Sequence, residues 1–333
     1  MTFSPVLGQT KALTLLERAL HSERLAHAYL FAGPDGVGKT TTALAMAGVL
    51  LCRDPKESRA CGHCPGCRKL ASDNHPDLLH IRPDGTAIKI DQIRELKKAV
   101  AFPPFEARWR VVLLEDIHTM RREAANSLLK LLEEPPAGNI LLLVGNALGS
   151  LPETIVSRCQ VIPFVPLPLA LATEVILRHR PECGTADAQA LAALTDGCPG
   201  QALALEADGV LALYRRVVHA LDHLPKTRAE RVETALALAI ELAAPSQDME
   251  LFLSLLRILL KDTLAAHALG SGYAVLPEAK RAKERWNFQQ VSAKLLSLDL
   301  AEHALSRNCN RGLTSEVLLL DLFDCSASHP PLP

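Results

Sequence analysis

The sequence predicts an α/β phosphate-loop domain with a parallel sheet, a four-cysteine insert within it, and a helical remainder. Three observations predict this. The glycine-rich stretch Gly33-Pro-Asp-Gly-Val-Gly-Lys-Thr40 stands between an apolar strand and an alanine- and leucine-rich helix. That strand, loop and helix order is the context in which such a loop binds phosphate. Cys52, Cys61, Cys64 and Cys67 then interrupt the domain at the spacing C-x8-C-x2-C-x2-C. From about residue 210 onward the apolar pattern is helical only.

Taken in order, residues 10–21 read as an amphipathic helix with Leu13, Leu16 and Leu20 on one face. His27–Phe31 reads as a strand, and Thr41 to about Leu51 as the helix after the loop. Past the cysteines, short strands are expected at Leu78–Ile81 and Ala87–Ile90, then a charged helix from Asp91 to Ala101. Arg110-Val-Val-Leu-Leu114 is a continuous apolar run, as for a strand buried on both faces. A helix over Arg122–Glu134 stops at Pro135-Pro136, and Ile140–Val144 and Val161–Phe164 complete the sheet. Pro163, Pro166 and Pro168 mark a boundary. The expected domains are therefore 1–166, a short helical lid over 167–208, and an all-α domain over 209–333. In the last, helices are read near 211–223, 227–243, 248–268, 286–306 and 314–324, the final one capped by Thr314 or Ser315, with a frayed tail over 326–333.

Composition narrows the function. The 333 residues suffice for two or three domains. Hydrophobic residues make up 48% and aromatics 4%, which favours helices packed through leucine and alanine. The net charge of −1 gives no global electrostatic case for nucleic-acid binding, so any such contact must be local or shared with partners. Met1-Thr-Phe-Ser-Pro lacks the basic and apolar regions of a signal peptide, and no apolar run is long enough to span a bilayer. A cytoplasmic protein is expected.

In the loop, Gly33, Gly36 and Gly38 let backbone N–H groups face phosphate oxygens, and the helix N-terminus adds positive potential. Lys39 would reach the β- and γ-phosphates and Thr40 would ligate Mg²⁺, with Thr41 beside it. The strand before Glu115 and Asp116 has the form of a Walker B element, but the order of the acids is reversed. An aspartate normally holds the metal and a glutamate orients water. Here each acid differs by one methylene from that need, and a shift of about 1 Å can cost on the order of 10²-fold in rate. The two carboxylates are expected to support Mg²⁺ but not efficient hydrolysis. The competing reading is two solvated acids at a strand end.

The four cysteines suit a tetrahedral zinc site, with Gly62, Pro65 and Gly66 supplying the turns. In a chain with cytosolic character they read as a metal site and not as disulfides. Four thiolates leave no position open for water, so the role is structural. Four unrelated reduced thiols is the bland alternative. Cys159, Cys183, Cys198, Cys309 and Cys325 are scattered and read as packed thiols.

The loop, the stretch from Glu115 through Asn126-Ser-Leu-Leu-Lys130-Leu-Leu-Glu-Glu-Pro-Pro136, and Thr154-Ile-Val-Ser-Arg-Cys159 together resemble the AAA+ subunits of the bacterial clamp loader. The resemblance runs over residues 3–208 and more weakly into the helical end. It implies a helical collar domain, motor (gamma/tau-like) and delta-like subunits as partners in a hetro-oligomer, and a sliding clamp and primer-template DNA within the complex. It implies no membrane. Motor members carry a sensor arginine where this chain has Gly200, and of the sensor-1 segment only Asn146 keeps a polar side chain. A cation for γ-phosphate charge is thus missing. The resemblance therefore points to a non-hydrolysing or poorly hydrolysing member. It also implies that Arg158 acts in trans as an arginine finger on a neighbour's ATP.

Two rivals stand beside this reading: an active motor ATPase, and a P-loop kinase of small molecules. The kinase would need a basic lid, whereas residues 170–208 hold only Arg178 and Arg180 as permanent cations. A zinc-dependent DNA-binding module is a weaker option, since no aromatic side chains accompany the basic residues of the insert. Lys89, Arg94, Lys97, Lys98, Arg108 and Arg110 read as a solvated basic face. His27, His75, His80 and His118 do not pair at ligand spacing and receive no role.

Overall fold

The computed structural model describes residues 6–22, 24–54, 60–146, 148–270 and 276–325. The opening residues 1–5 and the tail expected to fray, 326–333, lie outside them. The contacts divide the chain into two units, 1–175 with 197–201, and 176–196 with 202–333.

The first unit is built on a five-stranded sheet in the order β2-β3-β4-β1-β5. Its strands are β1 (Ala28–Ala32), β2 (Leu78–Ile81), β3 (Arg110–Leu114), β4 (Asn139–Gly145) and β5 (Gln160–Pro163), and every pairing is parallel. A parallel sheet is covered on both faces, which explains why β1, β3 and β4 are fully buried and, apart from Arg110 and Asn139 at their starts, apolar. Alternation along each strand divides the core. Tyr29, Phe31, Val111, Leu113 and Leu142 pack with Leu16 of α1 (Thr10–His21) and Met46 of α2 (Lys39–Leu50). Leu30, Val112, Leu114 and Leu143 pack with Ile93 and Leu96 of α4 (Ile90–Val100) and Leu128 and Leu131 of α5 (Arg122–Glu133). Burying such side chains stabilises by about 1.5–3 kcal/mol each.

One expected strand is absent. Over Ala87–Ile90 there is a single bridge, Asp84 to Ala87, and Ile90 already opens α4. Lys89 N–H donates to Gln92 Oε1 at 2.9 Å, a capping contact that favours the helix start. Arg110, read as part of a basic face, is buried. Its guanidinium donates to the carbonyls of Ala99, Phe102 and Pro103 at 2.6–3.0 Å. Asp77, also buried, accepts the N–H groups of Phe105, Glu106 and Ala107 at 2.5–2.9 Å. Together they fix the backbone of the loop over 101–109.

The second unit is helical, with α8 (Thr185–Leu194), α10 (Asp208–Asp222), α11 (Arg228–Ala243), α12 (Met249–Leu269), α13 (Pro277–Arg285), α14 (Phe288–Ser306) and α15 (Arg311–Leu322). The division between the units falls within α7 (Leu169–His179). Capping boxes at Thr227 with Glu230 and at Asn287 with Gln290 start α11 and α14. α12 lies against α10, α13 and α14 and buries Phe252, Leu256 and Leu260. α13 was not expected. α15 begins at an Asn310 cap, whose side chain accepts from Leu313 N–H at 3.0 Å, and not at Thr314 or Ser315. Among the described residues no helix is long and apolar enough to cross a membrane.

Candidate nucleotide site and metal centre

β1 delivers the chain into the glycine loop, and α2 leaves it at Lys39. Gly36 and Gly38 hold φ of +78° and +95°, a region that L side chains rarely adopt, and this folds the loop over the first turn of α2. Lys39 is buried, with its ammonium 2.6 Å from the carbonyls of Gly33 and Pro34 and 3.1 Å from Asp35 Oδ1. Thr42 donates to Gly38 O at 2.8 Å and fixes that turn. Thr40 is half-buried and Thr41 exposed. The ammonium within the loop and the open N–H groups of the α2 N-terminus form a donor set that fits phosphate oxygens.

A segment distant in sequence closes against this loop. Gly200 N–H donates to Gly36 O at 2.8 Å, and Gln201 Nε2 donates to Asp35 O at 3.1 Å. A Cβ on Gly36 would lie 2.4 Å from Gln201 N, and one on Gly200 would lie 2.6 Å from Gly36 Cα. Such separations are shorter than van der Waals contact, so only glycine at both positions lets the two backbones meet. Position 200, where a motor subunit's sensor arginine is expected, has no room for a side chain toward the loop.

The acids stand at the end of β3. Glu115 continues the strand ladder, its N–H donating to Ile81 O at 2.9 Å. Its carboxylate is held by His80 Nε2 and, at 3.4 Å, by Arg82 Nε. The His80 hydrogen bond, helped by Arg82, holds the Glu115 carboxyl below the usual range against the opposing effect of burial. Asp116 takes a left-handed φ of +50° at the head of a 3₁₀ turn over Ile117–Thr119. Asn146 follows β4, next to the Gly145 carbonyl that accepts from Gly33 N–H at 3.4 Å. Its Nδ2 lies 3.4 Å from His118 Nε2, while Asn146 Oδ1 and His118 Nδ1 are buried without partners. Such orphaned groups at a site point to a polar ligand or water. Sequence spacing gave His80 and His118 no role, because their partners are brought to them only by strand register and loop closure.

Arg158 follows α6 (Glu153–Val156) and is about one-third exposed. Its guanidinium pairs with Glu133 at 2.7 Å and donates to Thr154 O at 3.0 Å and Ser157 Oγ at 3.3 Å. Next to it, burial pushes the Cys159 thiol up to about 12, so it is an inert packed thiol.

The four cysteines come together. Their sulfurs all lie within 4.8 Å of one another, with Cys52 to Cys64 and Cys61 to Cys67 each at 3.9 Å. A tetrahedron with Zn–S bonds of about 2.3 Å has edges of about 3.8 Å, so the cluster fits zinc. Backbone N–H groups of Cys61, Cys64 and Cys67 donate to the sulfurs of Cys52, Cys61 and Cys64 at 3.3–3.4 Å, which favours thiolates. Burial works against ionisation of Cys64, but hydrogen bonds including the N–H groups of Arg53 and Cys67 bring its thiol down to about 6, whereas without a metal burial raises Cys52 and pushes Cys67 up to about 12. Cys64 also caps α3 (Pro65–Ala71), which carries Cys67. The module is tied to the loop over 101–109 through Glu106, whose carboxylate meets Lys69 at 2.7 Å and Arg53 at 3.0 Å. Gly66 packs so close that a Cβ would lie 2.5 Å from Leu51 O.

Residues 8–168 match the family described as DNA polymerase III, delta subunit. The chain is 37% identical over 169 residues to DNA polymerase III subunit delta' of Bacillus subtilis, covering 50% of this chain and 51% of that one. It is 39% identical over 204 residues to subunit delta' of Pseudomonas aeruginosa, covering 60% and 62%. With subunit tau of Escherichia coli the identity is 39% over 158 residues, 47% of this chain and 24% of that one. The matched segments thus span about half to three-fifths of the two delta' chains. A solved DNA polymerase III gamma subunit-related protein from Thermotoga maritima aligns over 94% of this chain and 99% of its own, at 20% identity and a TM-score of 0.40.

Proposed function

We propose that the chain is a poorly hydrolysing stator of the DNA polymerase III clamp loader, its phosphate-loop domain being a delta-prime-like domain of the AAA+ type. In this reading it helps load the sliding clamp on primed DNA, does not polymerise DNA, and works in the cytoplasm as one member of a hetero-oligomer with gamma/tau-like and delta-like subunits. The observation that carries it is the seating of Gly200 on Gly36. A motor needs a cation at that place, and here the N–H of a glycine is hydrogen-bonded to the loop instead. The 37–39% identity to delta' chains supports the assignment to that subunit type.

The chemistry assigned to this chain is then performed on the ATP of a neighbour. Arg158 stands at the surface beyond a short helix, where a second subunit can be reached. On assembly its guanidinium leaves Glu133 and meets the γ-phosphate, stabilising the charge that spreads over the departing phosphoryl group. Being planar and permanently charged, it needs no proton transfer to do so. Lys39 and the loop bind nucleotide in this chain without turning it over efficiently. Zinc, held by Cys52, Cys61, Cys64 and Cys67, fixes the fold of the insert and takes no part in chemistry. The domains are assigned as 1–166 (AAA+), 167–208 (lid) and 209–333 (collar). Leu296 and Leu300 on α14 and Leu313 and Val317 on α15 are exposed, and such apolar side chains supply the collar's contact surface.

The test is turnover by the purified chain. Alone it should hydrolyse ATP at background rate, and added to motor subunits, clamp and primed DNA it should raise theirs. Turnover by the chain alone that disappears in Lys39→Ala would make it a motor and end this reading.

A further inference from the structure

Resting on the reading of the phosphate loop as a nucleotide site, we infer that Glu115 is not a metal ligand in this chain but the shared hydrogen-bond partner of His80 and Arg82. The loop then takes its nucleotide with little help from a divalent cation. The argument starts from strand register. β2 and β3 pair His80 with Leu113 and Ile81 with Leu114, so the next residues along, Arg82 and Glu115, come opposite one another. Side chains two apart on a strand share a face, which puts His80, Arg82 and Glu115 on the same side of the sheet.

The contacts follow from that placement. His80 Nε2 and Arg82 Nε both reach Glu115 Oε1. The His80 and Glu115 side chains are only 11% and 18% exposed, so this is not a solvent-screened surface pair. The reversed order of the two acids gains a reason here. Glutamate at 115 has the extra methylene needed to reach sideways across to β2, which an aspartate lacks. The second acid, Asp116, begins the 3₁₀ turn in a left-handed conformation and does not continue the strand. Mg²⁺ demands near-octahedral oxygen ligands at about 2.0–2.1 Å, and the Glu115 oxygen turned toward β2, Oε1, is already taken by His80 and Arg82. Thr40, in the first turn of the helix after the loop, is then the hydroxyl that would serve a cation, and Lys39 carries most of the phosphate charge. The lowered carboxyl pKa of Glu115 agrees with a carboxylate held by the His80 hydrogen bond and by Arg82.

The experiment measures binding of N-methylanthraniloyl-ATP to the full chain in excess Mg²⁺ and in excess EDTA. The proteins are wild type, His80→Ala/Arg82→Ala, and that double variant with Glu115→Gln added. Wild-type affinity should change by less than about threefold on removing Mg²⁺, while the double variant, its glutamate released, should become Mg²⁺-dependent by about tenfold. Adding Glu115→Gln should remove that gain. A wild type that already weakens about tenfold in EDTA, or a double variant that gains no dependence, overturns the inference. Urea unfolding of His80→Ala, Glu115→Gln and their combination provides the second readout. The combined loss should be smaller than the sum of the single losses, and additive losses would show that the pair is not coupled. If no nucleotide binds in either condition, the nucleotide reading of the loop falls and takes the inference with it, while the unfolding cycle still reports whether the pair exists.

Discussion

Gly200→Ala adds a single methyl group at the contact between residues 197–201 and the phosphate loop. Its carbon would stand 2.6 Å from Gly36 Cα and 3.0 Å from Gly36 O. Carbon atoms in contact prefer about 3.5–4.0 Å, so the two backbones must part by roughly an ångström. Overpacking of this kind costs about 1–3 kcal/mol. The Gly200 N–H to Gly36 O bond, 2.8 Å long, is stretched at the same time, and such a bond contributes about 0.5–1.5 kcal/mol. Alanine returns up to about 1 kcal/mol of helix propensity, since residue 200 lies in the first turn of α9 (Pro199–Ala204). The net is a local loss of about 1–3 kcal/mol, which corresponds to opening about 5- to 150-fold more often. Hydrogen–deuterium exchange of the Gly200 and Gln201 amides reads this directly and separately from global unfolding. Exchange in Gly200→Ala that equals or falls below the wild-type rate would refute the close approach. Gly200→Arg should open the segment further without conferring turnover on the isolated chain. Turnover in that variant would mean that the missing sensor cation, and not the missing space, limited hydrolysis.

Other outcomes follow from the remaining contacts. Purified chain should carry about one zinc per molecule, and of its nine cysteines the four ligands should resist thiol reagents until a chelator is added. Cys67→Ser should lose the metal, and full zinc content in that variant would exclude the four-sulfur site. Asp77→Asn should destabilise by about 2–5 kcal/mol, since the amide NH₂ would face N–H groups that now meet a carboxylate. Burial opposes ionisation of Asp77, but three N–H donors and Arg110 hold its carboxyl below the usual range. Its contribution is therefore fully present above the unfolded value of about 3.9 and is lost as pH falls through the lower folded value. The variant should show a flatter acid limb in unfolding profiles, and an unchanged limb would contradict this. Glu133→Gln releases Arg158 from an exposed ion pair worth about 0–1 kcal/mol, so turnover of the assembled loader should rise by no more than about fivefold. A fall would mean that Glu133 positions the arginine.

Much of this was legible in the sequence, and what was not has physical reasons. β3 announced itself because a strand covered on both faces is apolar over Val111–Leu114, and the cysteine spacing already marked the four-sulfur cluster. α13 was missed because Pro277-Glu-Ala-Lys-Arg-Ala-Lys-Glu-Arg285 buries only Ala279 and Ala282, which leaves no apolar stripe to read. The start of α15 was misplaced because Thr314 and Ser315 look like caps. Their hydroxyls instead donate to the carbonyls of Asn310 and Arg311 at 2.9 Å within the helix. Arg110 looked like surface charge until the carbonyls it binds came into view. The pairing of His80 with Glu115 and the meeting of Gly36 with Gly200 depend on strand register and tertiary closure across 35 and 164 residues, for which local sequence carries no signal.

The central claim is that this chain completes a neighbour's ATP site and does not fire its own. It is tested most directly by ATP turnover of a reconstituted loader with motor subunits, clamp and primed DNA, comparing Arg158→Ala and Lys39→Ala with wild type. Removing an arginine finger costs about 10³–10⁵ in rate at the site it serves. The account predicts that Arg158→Ala lowers turnover by that site's share while Lys39→Ala leaves it near wild type. Loss with Lys39→Ala and none with Arg158→Ala would contradict it.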